Sequence, residues 1–178
     1  GDAAATDEEY FKSAASDLRD ARFGTFFIPG IGKKDHLDLA RDHGMSFVRI
    51  GTNITQSNEA EEYIKYAKKL GFEVSYNAMK SYVVSPEEMA QRAKYVVDCG
   101  ADVVAVVDSA GGMLPSDVKK YVEILREKID VKIGFHGHNS FMLANANTIT
   151  ALESGATVLD STIQGIGRGG WSRSSPAP

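Results

Sequence analysis

Val103-Val-Ala-Val-Val107, closed by Asp108-Ser-Ala-Gly-Gly112, is the stretch that decides the fold. Five apolar residues, four of them β-branched, favour an extended chain. A strand with one wet face alternates apolar and polar residues. This one does not alternate, so both of its faces must be covered, as in a parallel sheet flanked by helices. The polar, glycine-rich segment after it reads as a strand-to-helix turn.

Working outward, the same unit recurs. Strands are expected at 23–28, 46–50, 72–76, 103–107, 131–135 and 157–161, with helices at 7–20, 33–43, 57–70, from 85 onward, 116–128 and 140–154. Thr6 and Glu9 have the spacing of a capping box, and Ser85-Pro86-Glu87 reads as a capped helix start with proline at the first helical position. Strands that alternate with single helices form right-handed crossovers, which leaves a doubly wound open sheet or a (β/α)8 barrel. Six units are two short of a barrel. Residues 1–164 are expected to form this one domain, and 165–178 a glycine-rich loop and disordered tail.

The composition narrows the function. The chain has 178 residues, 43% hydrophobic and 25% charged, with a net charge of −4. An acidic chain is a poor partner for nucleic acid or an anionic membrane. No apolar run approaches the roughly 18 residues of a membrane span, and residues 1–12 lack the pattern of a signal peptide. Cys99, the single cysteine, excludes an intrachain disulfide and reads as packing at a helix end. A reduced, cytoplasmic setting is the expectation.

In both architectures the active site lies beyond the carboxyl ends of the strands. The polar residues expected there are Asn53, Asn77, Lys80, Asp108, Ser109, His136, His138, Asn139, Asp160, Thr162 and Gln164. His136 and His138 are the most informative. Residues i and i+2 of a strand share a side, so the two imidazoles can chelate one divalent ion, with Gly134 and Gly137 leaving room beside them. The competing reading is one buried histidine and one solvated. A catalytic ion normally takes a third protein ligand, for which Asp108 and Asp160 are local candidates, each equally able to cap a loop or form an ion pair. Asp108 and Ser109 could instead hold a substrate carbonyl or carboxylate. Lys80 could form a Schiff base, although a lone loop lysine is usually solvated. Gly165-Ile-Gly-Arg-Gly-Gly170 matches a dinucleotide fingerprint in letters, but neither a helix nor an acidic residue follows it.

Taken together, Phe27-Ile-Pro-Gly-Ile-Gly32, Val107-Asp-Ser-Ala-Gly111, Gly134-Phe-His-Gly-His-Asn139, Ala146-Asn-Thr148 and the stretch from Asp160 to Gly167 resemble the DRE-TIM metallolyase superfamily, nearest to its 4-hydroxy-2-oxovalerate aldolases. The resemblance covers about residues 20–170. It implies an α/β fold, a TIM (β/α)8 barrel that is incomplete here, with the family's strands three to eight present and strands one and two absent. It implies carbon–carbon cleavage of a 4-hydroxy-2-oxo acid to pyruvate and an aldehyde, with a divalent ion, Mn2+ foremost and Mg2+, Co2+ or Zn2+ as alternatives, as Lewis acid. His136 and His138 fall on the family's metal-binding histidines. Ser109 falls on a substrate contact, and Phe27 and Ile28 fall where apolar side chains shape the aldehyde pocket. Asp108 and Asn77 complete the expected substrate-binding set.

The family's Arg-Asp motif, with the third metal ligand and an enolate-stabilising arginine, belongs to its first strand and has no counterpart in these residues. Impaired activity of the chain alone is therefore expected, and no catalytic residue is assigned. Ser140 and Trp171 stand where the family commonly has Asn. The alternatives are an inactive domain that binds metal or a partner, and a related acyl-CoA lyase or acyltransferase. The lyase normally carries a cysteine in the glycine loop, and Gly165–Trp171 has none. A 2-oxo acid substrate, an aldehyde dehydrogenase partner and homo-oligomerisation complete the implications. The two outer strands, short of their barrel neighbours, are expected to drive self-association of the isolated chain.

Overall fold

The computed structural model describes residues 5–162. Six parallel strands form one sheet in sequence order: β1 (Gly24–Phe27), β2 (Phe47–Asn53), β3 (Glu73–Met79), β4 (Val103–Asp108), β5 (Lys132–Gly137) and β6 (Val158–Leu159). Helices α1 (Asp7–Asp17), α2 (Lys34–Asp42), α3 (Glu61–Lys69), α4 (Pro86–Asp98), α5 (Pro115–Lys128) and α6 (Ala144–Ser154) alternate with them. Each neighbouring pair of strands is parallel and joined through one intervening helix, the barrel connection.

One ion pair shows how strongly the sheet curls. Arg49 on β2 donates to both carboxylate oxygens of Asp160, just past β6, at 2.9 and 2.6 Å. In a flat sheet, strands four places apart lie about 19 Å apart at roughly 4.8 Å per step. Two side chains meet across that span only when the sheet closes toward itself. The architecture is a half-barrel with helices outside, the incomplete TIM-type barrel expected from the sequence.

Register makes each strand two-faced. Phe26, Arg49, Ser75 and Val103 stand side by side, as do Gly51, Asn77, Ala105 and Gly134, and Val107 with His136. These residues face the concave interior. Their chain neighbours Phe27, Val48, Ile50, Val74, Tyr76, Val104, Val106, Ile133 and Phe135 pack outward against Leu37, Ile64, Met89, Val96, Val122 and Leu125 of the helices. β4 is buried at every position from Val103 to Asp108, as its unbroken apolar run requires.

The caps follow the sequence. Thr6 and Glu9 form the reciprocal capping box, and the Ser85 hydroxyl accepts the Glu88 amide at 3.1 Å ahead of Pro86. Several boundaries differ. β2 and β3 run three residues further than their apolar segments, so Asn53 and Asn77 lie on strands rather than after them. The helix expected over 57–70 is a 3₁₀ segment, Ile54–Ala60, leading into α3. The helix expected at 140 begins at Ala144, because Met142 takes φ +60° and the side-chain Oδ1 of Asn139 accepts the Ala144 amide at 3.0 Å. α1 stops at Asp17 rather than 20. Among the described residues no helix is long and apolar enough to cross a membrane. The glycine loop and tail expected at 165–178 lie outside the described residues.

Candidate active site

The carboxyl ends of the strands open into a cavity of about 380 Å³, lined by Phe26, Ile28, Arg49, Asn77, Met79, Val107, Ser109, His136, His138 and Thr162. Strand parity explains the set. Arg49, Asn77, Met79, Val107 and His136 are interior positions of β2 to β5, and His138 continues the alternation of β5. The two imidazole centroids are 5.2 Å apart at an interplanar angle of 72°. Glycine is required by space on either side of His136 along the chain. A Cβ on Gly134 would lie 3.0 Å from that of Ala105, and one on Gly137 would lie 2.9 Å from the Phe135 ring.

A polar network spans this cavity. Asp160 Oδ2 lies 2.6 Å from His136 Nδ1 and 2.6 Å from Arg49 Nη2. Arg49 Nε also donates to Asn77 Oδ1 at 3.3 Å, and the Ser75 hydroxyl donates to the same oxygen at 3.2 Å. Burial by itself would push the Asp160 carboxyl up. The hydrogen bonds from His136 and Arg49, with the charge of Arg49, outweigh burial and hold it below its ordinary value, so Asp160 is the anion of the network. A carboxylate on Nδ1 favours the tautomer with hydrogen there and leaves the Nε2 lone pair of His136 as a ligand donor.

The loops after β4 and β5 are joined by backbone bonds. The His138 amide donates to the Asp108 carbonyl at 3.2 Å, and the Phe141 amide donates to the Gly111 carbonyl at 3.2 Å. Gly111 takes φ +64°, and a Cβ there would lie 2.7 Å from the His138 carbonyl oxygen. No other residue type suits both the backbone angle and the space.

Of the residues singled out from sequence, Ile28, Asn77, Ser109, His136, His138 and Thr162 line the cavity together. Phe27 does not. It is buried on the helix side, with its ring centroid 4.9 Å from that of Tyr63, and Phe26 takes the place in the cavity. Ile28 and Phe26 are two apart, so the period of a strand was sufficient to find Phe26. Asp108 is also elsewhere. Its side chain is fully buried, and its two oxygens accept the amides of Gly112 and Met113 at 3.1 and 3.0 Å, which makes it the anchor of the turn. Lys80 is exposed, takes φ 56°, and donates its backbone amide to Ser109 Oγ at 2.9 Å. Gln164 lies outside the described residues. Arg49 is the charged cavity residue that sequence reasoning missed, beside the apolar Phe26 and Met79. Its signal was a lone cation inside an apolar strand, Phe47-Val-Arg-Ile50.

His136 and His138 suit a divalent ion in donor chemistry, and the Asp160 contact orients one of them in the way that ligating histidines are commonly held. Among the described residues no group of three or more His, Cys, Asp or Glu is arranged to hold an ion. The third-ligand candidates Asp108 and Asp160 are engaged by backbone amides and by Arg49 and His136 respectively.

A family profile described as HMGL-like matches residues 35–173. The chain belongs to the HMGL-like family. Within it, the chain is 41% identical over 169 residues to the 4-hydroxy-2-oxovalerate aldolase of Carboxydothermus hydrogenoformans, covering 95% of this chain and 50% of the aldolase. It is 42% identical over 169 residues to the oxaloacetate decarboxylase of Mycobacterium tuberculosis, with the same 95% and 50% coverage. The chain thus spans about half the length of the curated relatives it matches. An N-terminal domain from Bacteroides vulgatus, described as that of an aldolase, superposes with TM-score 0.79 at 26% identity, over 93% of this chain and 56% of that one. The carboxyl transferase domain of Rhizobium etli pyruvate carboxylase superposes with TM-score 0.80 over 86% of this chain and 29% of that one. At 17% identity, that likeness concerns the fold alone. The HMGL-like assignment and the aldolase N-terminal domain agree with the half-barrel.

Proposed function

We propose that this chain carries part of the active site of a divalent-metal-dependent carbon–carbon lyase that cleaves a 4-hydroxy-2-oxo acid to pyruvate and an aldehyde. One observation supports this most directly. Two histidines on one side of a strand line one cavity, and an anionic carboxylate orients the ring of one of them. The metal ligands in this reading are His136 and His138, with Mn2+ foremost and Mg2+, Co2+ or Zn2+ as alternatives. When bound, the ion supplies Lewis-acid polarisation of the 2-oxo group.

The residues of the chain supply the rest of the environment. Ser109 accepts the Lys80 amide and keeps its own hydroxyl proton to donate to a substrate oxygen. Asn77, with its oxygen held by Arg49 and Ser75, turns its amide nitrogen to the substrate. Phe26 and Ile28 form the apolar wall against which the aldehyde half packs, and together with Met79 and Val107 they keep water from the reacting carbons. The same reading carries a cytoplasmic, oligomeric enzyme whose aldehyde product passes to an aldehyde dehydrogenase.

The full-length protein that contains this chain, assayed with 4-hydroxy-2-oxovalerate, Mn2+ and lactate dehydrogenase, is expected to release pyruvate. Chelator, His136→Ala and His138→Ala are each expected to abolish the release. Mn2+-independent turnover would sink the metal reading. The Mycobacterium tuberculosis relative's name supports a second reading, decarboxylation of oxaloacetate, which also leaves pyruvate. Preference for oxaloacetate in parallel assays would select it.

A further inference from the structure

Arg49 has no role in the proposal above beyond steadying Asn77, yet all three of its guanidinium nitrogens are engaged. Its guanidinium meets Asp160 with both terminal nitrogens and reaches Asn77 with the third. The Asp160 oxygen that takes the shorter of the two bonds is also the one that holds His136 Nδ1. Both side chains are largely withdrawn from solvent, at 25% and 18% exposure. Asp160 follows a strand of only two residues, Val158–Leu159, at the rim of the sheet; its amide donates to the Phe135 carbonyl at 3.2 Å, which holds its backbone but does not set its side-chain torsions. A bidentate fork removes that freedom, because two parallel N–H bonds fix the plane of the carboxylate as well as its position.

From this geometry we infer that Arg49 is a positioning residue: it holds the Asp160 carboxylate in the one orientation that presents His136 to the cavity through Nε2. The inference rests on the reading of His136 as a metal ligand. It adds a residue that acts on the ion through two others, from the opposite side of the half-barrel. Arg49 acts on the ion only through Asp160 and His136, and three of its five N–H groups are taken up by Asp160 and Asn77. Outer groups of this kind commonly set metal affinity through the orientation of the inner ligand.

The test uses the full-length protein with Arg49→Met, Arg49→Lys, Asp160→Asn and the double variant Arg49→Met/Asp160→Asn. Mn2+ affinity is measured by titration calorimetry, and the imidazole nitrogen shifts of the metal-free protein are recorded at one fixed neutral pH. Arg49→Met is expected to weaken Mn2+ by about 10–100-fold and to lose the Nδ1–H form of His136. The double variant is expected to match Asp160→Asn within about twofold, because both changes break one chain of contacts. Arg49→Lys, which keeps the charge but not the fork, is expected to fall between wild type and Arg49→Met. It carries the test if Arg49→Met does not fold.

Unchanged Mn2+ affinity and tautomer in Arg49→Met, with binding of pyruvate lost, would overturn the inference and make Arg49 a substrate contact. Additive losses in the double variant would overturn it too. If wild type binds no Mn2+, the metal reading fails on its own, and the tautomer measurement still decides the role of Arg49.

Discussion

Asp108 and Gly51 show how differently one cavity wall can depend on single residues. Asp108, itself buried, accepts two backbone amides of the turn with its two oxygens, and its own carbonyl receives the His138 amide. Asp108→Ala takes the acceptor from two amides, of which that of Met113 is buried and that of Gly112 exposed, and the expected loss is about 1–3 kcal/mol of stability, read from the urea midpoint. Metal affinity is expected to fall with it, since the turn carries the loop of His138. Gly51 acts through space. A Cβ there would meet Phe26 Cζ at 2.5 Å, but that ring is 48% exposed and can swing. Gly51→Ala is therefore expected to cost only about 1 kcal/mol and to displace Phe26 in a crystal structure. In Gly51→Ala/Phe26→Ala that penalty is expected to vanish, a coupling that a double-mutant cycle measures directly.

At the scale of the element, each strand carries two programmes in alternation, one for the helical layer and one for the cavity. Phe27 and Phe26 are adjacent in sequence and lie on opposite sides of the sheet, so an assignment made without attention to parity reverses them. The helices are less uniform than their sequence patterns. α1 buries none of its residues, and its start depends on the capping box of Thr6 and Glu9. Thr6→Ala is expected to cost that helix about 1 kcal/mol. The loss should register as faster amide exchange within α1 alone, with the melting temperature of the whole domain unchanged. A shift of the global melting temperature would mean that α1 packs on the barrel more firmly than its burial indicates.

Across the whole molecule, two sets of charges tie separate strands together at opposite ends of the sheet. At the carboxyl end the strut is Arg49 with Asp160. At the amino end Glu73 on β3 takes Arg22, just before β1, at 2.7 Å and Lys132 of β5 at 3.0 Å. The hydrogen bonds from Lys132 and Arg22, in that order, hold the Glu73 carboxyl below its ordinary value of 4.5, against a smaller opposing effect of burial. A carboxyl with a depressed folded value stabilises the fold fully above its unfolded value, and that contribution is lost as pH falls through the folded one. Wild type is therefore expected to lose more stability than Glu73→Gln between neutral pH and about pH 3. Urea midpoints at the two pH values measure the difference. Equal losses would show that the cluster is too solvated to matter.

Much of this protein was written in its order of residues. The unbroken apolar run of β4, the helix after each strand and the i, i+2 pair of histidines are local facts. Local facts dictate secondary structure, parallel pairing and the end of the sheet where chemistry gathers, because strand period, capping and crossover handedness depend only on near neighbours. The motifs at residues 107–111 and 134–139 carried the family as well. Three matters depended on the folded chain. Asp108 became a turn anchor because its carboxylate met two amides that the Gly111 turn brought round to it. Phe26 displaced Phe27 from the cavity because register fixed which face of β1 looks inward. Arg49 joined Asp160 across 111 positions of sequence because the sheet curls, and curvature is a property of all the strands at once. No window of sequence contains both ends of that contact, so only the tertiary structure could bring a lone arginine in an apolar strand to the carboxylate that orients His136.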